Sequence, residues 1–548
     1  MRNSSTLNHM LFNETVSDYK SNFSLKRFRV LIYTPFFLIL LFVISAPAFA
    51  KKGNPVLHYT ISFPQPTSHS YNIALNCSGW NKDTIYFKMP NWMPGYYQLM
   101  GYSKDVVNMK GTNNNGKEIK VEKMNDNTWF ITSIKNKSFN ISYSIMTSRQ
   151  FVANSYVDSA HAYIIPENTF LYIKDEIKLP VTVTVLKNEA WKNIATGLDP
   201  VAGKANEFSA TDFDILYDCP ILIGNLKELP AFKVKGINHR FIGYEMGNFD
   251  SILFMNNLQK VVKAATDIIG DIPYKEYTFI GIGPGRGGIE HLNNSTESFN
   301  GSGLDKPGAM NTVMNFIAHE YFHNYNVKRI RAFELGPFDY DKGSKTNLLW
   351  VNEGLTVYYE YMTVKRAGLS DMNTILSDFS SNLNTVQNNP GRMYQSLQQS
   401  SYATWSDGPF GTQGTEKGKT ISYYEKGPIV GLMLDFAIRN ATQNKKSLDD
   451  VMRTLYWKYY KEQQRGFTDA EFQQTCEEVA GIPLTEIFEY VYTTKEMDYD
   501  KYLSYGGLKV DKQNAVTKNN TPTEKFSIIK MDNPGSLQKT ILTSWLGE

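Results

Sequence analysis

Between residues 55 and 235 apolar and polar positions alternate in short runs, which predicts β-strands. The clearest are His58-Tyr-Thr-Ile-Ser-Phe63, Thr84-Ile-Tyr-Phe-Lys88, Phe139-Asn-Ile-Ser-Tyr-Ser-Ile145 and Val181-Thr-Val-Thr-Val185. β-Branched and aromatic residues dominate them, and Asn, Gly, Pro and Lys clusters separate them, the pattern of an antiparallel sandwich. Near residue 245 the period changes. Ile252, Leu253, Met255, Leu258, Val261, Val262, Ala265 and Ile268 recur at helical spacing up to Gly270 and Pro273, and a short strand follows over Tyr277–Ile282. Helical patterns then cover residues 311–328, 346–367, 371–388, 427–441, 447–464 and 468–494. Beyond Tyr505, a strand-like Gly506-Gly-Leu-Lys-Val510 leads into a polar tail. The predicted fold class is α+β, with a β-sandwich over residues 51–240, a mostly helical domain over 241–504 and a C-terminal tail over 505–548.

Residues 1–50 stand apart as an N-terminal extension and signal. Lys26, Arg27 and Arg29 precede an apolar run from Val30 to Ile44, and Ala48 and Ala50 are placed as A-x-A before Lys51. That order predicts a secretory signal cut after Ala50, and so a periplasmic or secreted protein without stable membrane insertion after cleavage. The run is short for a span of about 20 residues, with an uncleaved anchor as the competing reading.

Composition narrows the function classes only a little. The 57 basic and 54 acidic residues leave a net charge of +3, which favours neither a nucleic-acid groove nor an anionic membrane surface. Cys77, Cys219 and Cys476 lie far apart, so neither a disulfide framework nor a thiolate metal site is expected.

The chemistry concentrates in Ala318-His319-Glu320-Tyr-Phe-His323. Residues four apart on a helix lie one turn above each other, so both imidazoles face one way and can share a metal ion. Val313, Ile317 and Tyr321, with Met314, Ala318, Phe322 and Tyr325, form apolar rows beside them, predicting a helix buried on two sides. Glu320 diverges from His319 and is placed to take a proton from water at the metal. A catalytic Zn2+, one per chain, needs a third protein ligand. Glu353, in Leu349-Trp-Val-Asn-Glu-Gly354, is a candidate, with Glu360 as a rival two turns on and His291 as a remoter one. Ser422-Tyr423-Tyr424-Glu-Lys-Gly427 offers two phenols as oxyanion donors, which spacing alone does not separate. In Gly283-Pro-Gly-Arg-Gly-Gly-Ile-Glu290-His291, Gly287 and Gly288 allow a peptide to approach the backbone closely, and Glu290 could hold a free α-amino group.

Together these segments resemble the glycyl-aminopeptidase family of zinc peptidases, relatives of the larger alanyl and leucyl aminopeptidases. The likeness rests on His319-Glu-Tyr-Phe-His-Asn-Tyr-Asn-Val-Lys-Arg-Ile-Arg331, Glu334-Leu-Gly-Pro-Phe-Asp-Tyr340, Leu349–Gly354, Gly287–His291, Tyr424-Glu-Lys-Gly427 and Pro90-Asn-Trp-Met-Pro-Gly-Tyr96. It implies zinc on His319, His323 and Glu353, Glu320 as general base, Tyr424 on the oxyanion and Glu290 on the substrate amino terminus. It further implies peptide substrates beginning with glycine or another small residue, and a sandwich, a thermolysin-like catalytic domain and a C-terminal PDZ domain. Only about 40 residues follow Gly506, too few for a complete PDZ domain in the usual size range, so that domain is expected to be truncated or absent. A thermolysin-type endopeptidase and a catalytically silent peptide-binding protein are the alternatives.

Overall fold

Alternating burial builds the first half of the chain. In β1 (Val56–Ser62) Leu57, Tyr59 and Ile61 turn inward, and in β2 (Ser70–Ser78) Tyr71, Ile73, Leu75 and Cys77 do the same. The pairing is antiparallel, with Tyr59 opposite Leu75, so inward residues meet on one face. β3 (Phe139–Met146) extends the sheet antiparallel from β2. β4 (Val181–Leu186) runs parallel to β1 on the other side, a departure from the antiparallel pairing the alternation suggests. Parallel neighbours need a long crossover, and the chain between β1 and β4 supplies it with further strands of the sandwich. This eight-stranded sheet shares one buried core with two four-stranded sheets.

The computed structural model describes residues 55–416, 418–516 and 522–548. The expected signal, its cut after Ala50 and the whole of residues 1–50 lie outside the described residues. None of the described helices is long and apolar enough to cross a membrane. The three cysteines are free and buried.

The second half opens with a βαβ unit. β5 (Ile237–Gly243) leads through α1 (Ser251–Ile269) to β6 (Glu276–Gly281), which pairs parallel with β5. The Asp250 side chain caps α1 by accepting from the Leu253 amide, and Gly270 closes it at φ 89°, a left-handed stop that suits glycine. Ile252 and Leu253, part of the apolar pattern, are 57% and 49% exposed, because they lie off the helix face that Phe254, Met255 and Leu258 turn to the core. β8 (Asn294–Glu297) runs parallel to β6, and β7 (Gly288–Glu290) pairs antiparallel with β8 at the sheet edge.

Helices pack over this sheet. α2 (Ala309–Phe322) lies against α3 (Leu355–Arg366), which continues a wide π turn over Trp350–Gly354. α4 (Met372–Asn388) and α5 (Tyr423–Ala441) complete the layer. The predicted 468–494 helix is two, Asp469–Ala480 and Thr485–Tyr492, broken where Gly481 takes φ 70° before Pro483.

The residues read as a polar tail form a hairpin, β9 (Leu508–Val516) with β10 (Pro522–Lys530), and α6 (Ser536–Leu546). The backbone amides of Phe526 and Ile528 donate to Asn384 Oδ1 at 3.1 Å and Ser380 Oγ at 2.8 Å on α4. Trp545 is fully buried between Phe379 and Phe436. The segment is thus a layer of the helical half, and the described residues contain no PDZ domain.

Candidate metal centre

Three donor atoms converge where α2 meets the π turn. His319 Nε2 and His323 Nε2 are 3.0 Å apart, and Glu353 Oε2 lies 3.6 Å from the first and 3.2 Å from the second. An ion about 2.0–2.1 Å from each of three tetrahedral donors sets those donors roughly 3.3 Å apart. The triangle therefore fits a zinc-sized ion, and its chemistry, two imidazoles and a carboxylate, is that of a catalytic zinc site. All three residues are buried.

Each ligand is oriented from behind. His323 Nδ1 donates to the Asn326 carbonyl at 2.6 Å, and His319 Nδ1 to Glu360 Oε2 at 2.7 Å. With Nδ1 protonated, each ring presents the Nε2 lone pair to the common point. Glu360, the rival candidate, thus engages the far side of the His319 ring and stays outside the converging donors. His291, the remoter rival, turns to Asp218, with 3.3 Å between Nδ1 and Oδ1. Two phenols hold Glu353: Tyr97 donates to Oε1 and Tyr424 to Oε2, both at 2.8 Å. The tyrosines that spacing left equivalent are here distinct, since the Tyr423 hydroxyl pairs with Thr404 Oγ1 at 3.0 Å. Burial works against the Glu353 charge, but His323 and His319 outweigh it and hold the carboxyl below the usual range.

Glycine lets two further carboxylates reach the cleft. A Cβ on Gly288 would fall 2.4 Å from Glu320 Cδ, and one on Gly95 2.9 Å from Glu290 Oε2. Gly287 beside them adopts φ 89°, which glycine alone takes freely. Burial pushes the Glu320 carboxyl up to about 7 against the pull of His319 and His323. Glu290 is 3% exposed, and its Oε1 has no hydrogen-bond partner, a costly state for a carboxylate unless a cation arrives. Behind it, Asp218 accepts from Lys328 Nζ at 2.8 Å and from the Leu292 amide at 2.6 Å. Burial would raise the Asp218 carboxyl, yet Lys328 and His291 bring it down to about 2.

Tyr97 and Gly95 are site residues that the sequence reading did not single out. Their signal was the Pro90–Tyr96 segment, which carries part of the family likeness but no spacing that ties it to the histidines.

Two family models match the chain: the Peptidase M61 N-terminal domain over residues 58–225 and M61 glycyl aminopeptidase over residues 312–430. No curated protein sequence matches it. An aminopeptidase N family protein from Idiomarina loihiensis superposes with a TM-score of 0.79 at 24% identity, covering 85% of this chain and 81% of that one. Aminopeptidase A from Legionella pneumophila, solved with aspartic acid, gives a TM-score of 0.51 at 12% identity, over 86% of this chain and 52% of the other.

Proposed function

The chain belongs to the M61 glycyl aminopeptidase family, and on that premise we propose that it is a zinc-dependent aminopeptidase removing an N-terminal glycine or other small residue from peptides. The observation that carries the proposal is the buried triangle of His319 Nε2, His323 Nε2 and Glu353 Oε2, which matches one catalytic zinc ion per chain. When bound, zinc supplies Lewis acidity at the scissile carbonyl.

The protein side chains divide the remaining work. Glu320, with its carboxyl near 7, accepts a proton from the attacking water and returns it to the departing amine. Tyr424, whose hydroxyl stands beside the Glu353 oxygen that faces the imidazoles, donates to the developing oxyanion. The outer edge of β7, bared at Gly287 and Gly288, is free to pair with the substrate backbone. Glu290 receives the substrate ammonium. Its unpartnered oxygen favours this exopeptidase reading over an endopeptidase, which has no cation to place there.

The test combines metal analysis with turnover. One zinc per chain is expected, with hydrolysis of glycyl and alanyl chromogenic amides that chelation abolishes and zinc restores. N-Acetylated peptides should resist. Equal cleavage of acetylated and free peptides would mean an endopeptidase, and a chain without zinc or turnover a silent binding protein. We also propose export through the signal before Lys51, which N-terminal sequencing of the mature protein checks: a first residue at Lys51 is expected, and an intact Met1 contradicts it.

A further inference from the structure

Tyr97 belongs to the sandwich half, yet its hydroxyl ends on a candidate metal ligand of the helical half. The segment that carries it is anchored at both ends. The amides of Asn91 and Trp92 donate to the Tyr340 carbonyl at 2.8 and 3.1 Å. The Trp92 ring lies parallel to Trp405, with centroids 6.2 Å apart. Gln98 Nε2 donates to the Thr404 carbonyl at 2.9 Å. Between these anchors Tyr97 is held at φ 55°, a left-handed conformation that residues other than glycine seldom occupy. Such strain persists where the surroundings over-determine it, and it clusters at functional sites.

The two oxygens of Glu353 are unequally engaged. Oε2 faces both imidazoles at 3.2 and 3.6 Å, while Oε1 takes the Tyr97 hydroxyl at 2.8 Å. Tyr97 is 3% exposed, so this hydrogen bond is shielded from bulk solvent. Without that hydrogen bond the carboxylate could rotate and offer the ion either oxygen or both.

We infer that Tyr97 is a positioning residue that fixes Glu353 as a one-oxygen metal ligand, so that the sandwich takes part in holding the ion. The inference rests on the zinc reading above. Tyr424 cannot substitute, because its hydroxyl sits on Oε2, the oxygen left for the ion.

Tyr97→Phe tests it, since the ring and its packing stay and only the hydroxyl goes. Zinc affinity is measured on the full chain by competition with a chromophoric chelator, beside the thermal midpoint of the metal-free protein. Loss of a group that orients a ligand typically weakens metal binding about 10–100-fold, and that shift is expected here with the metal-free midpoint within a few degrees of wild type. A purely structural tyrosine would move the midpoint and leave zinc affinity alone, which would overturn the inference, as would equal affinities and equal midpoints. Should the wild-type chain itself bind no zinc, the metal reading falls first and takes this inference with it.

Discussion

Burial pushes the Glu320 carboxyl up to about 7, the range in which one group can accept and return a proton near neutral pH. Glu320→Gln keeps the shape of the side chain and removes the base. Zinc content should equal wild type, and kcat should fall by roughly 10²–10⁴-fold, the usual worth of a positioned base. A variant with full zinc and near-normal turnover would remove Glu320 from the reaction. At this scale the two imidazoles were legible, because residues four apart on a helix must share a face. Glu353 was selected by family likeness, since helical spacing admits Glu360 as readily. Tyr97 and Gly95 were not legible, because no local rule links a sandwich loop to a carboxylate beyond the first domain.

Two glycines set how closely the metal-site elements approach. A Cβ on Gly427 would lie 2.6 Å from Gly354 Cα, and one on Gly354 2.7 Å from Gly427 Cα. The π turn carrying Glu353 therefore rests directly on the first turns of α5, which bring Tyr424 to the carboxylate. Gly427→Ala should wedge them apart. Overpacking of this kind costs about 1–3 kcal/mol, and zinc affinity should fall with it; denaturant unfolding and a metal titration read the two effects. Unchanged values in both would mean that the neighbouring backbone gives way freely. Helix existence was mostly legible from apolar period, but ends were not. The pattern of α2 runs on to residue 328, whereas the helix stops at Phe322. Asn326 explains the difference: its backbone carbonyl accepts from His323 Nδ1, and its side-chain Nδ2 donates to the carbonyls of Val351 and Asn352. A continued helix would forgo those bonds. Of the C-terminal hairpin only the start of β9 was legible, because β9 is only half-buried and β10 takes polar partners from α4.

The halves of the chain meet over buried polar groups as well as apolar ones. Glu167, 2% exposed near Lys328 and Asp218, has an oxygen with no partner, and burial pushes its carboxyl up to about 8. An unfolded glutamate titrates near about 4.3. Between those values the folded protein keeps a proton that the unfolded chain has released, so stability falls as pH rises from about 4 to about 8. The contribution is full below that window and lost above it. Glu167→Gln should accordingly raise the unfolding midpoint at pH 8–9 and change it little at pH 4–5. An equal shift at both ends would contradict the linkage. The order of a sandwich followed by a helical domain was legible from the change of period, whereas the seam was not, since burial of a charge shows only in three dimensions. One contact across that seam bears on the life history of the enzyme. The Tyr97 hydroxyl and the carboxylate it grips are 256 residues apart, and closing so long a loop is a late event in folding. In a chain still emerging from synthesis Tyr97 comes first and Glu353 last, so the clasp closes only after both halves have been made.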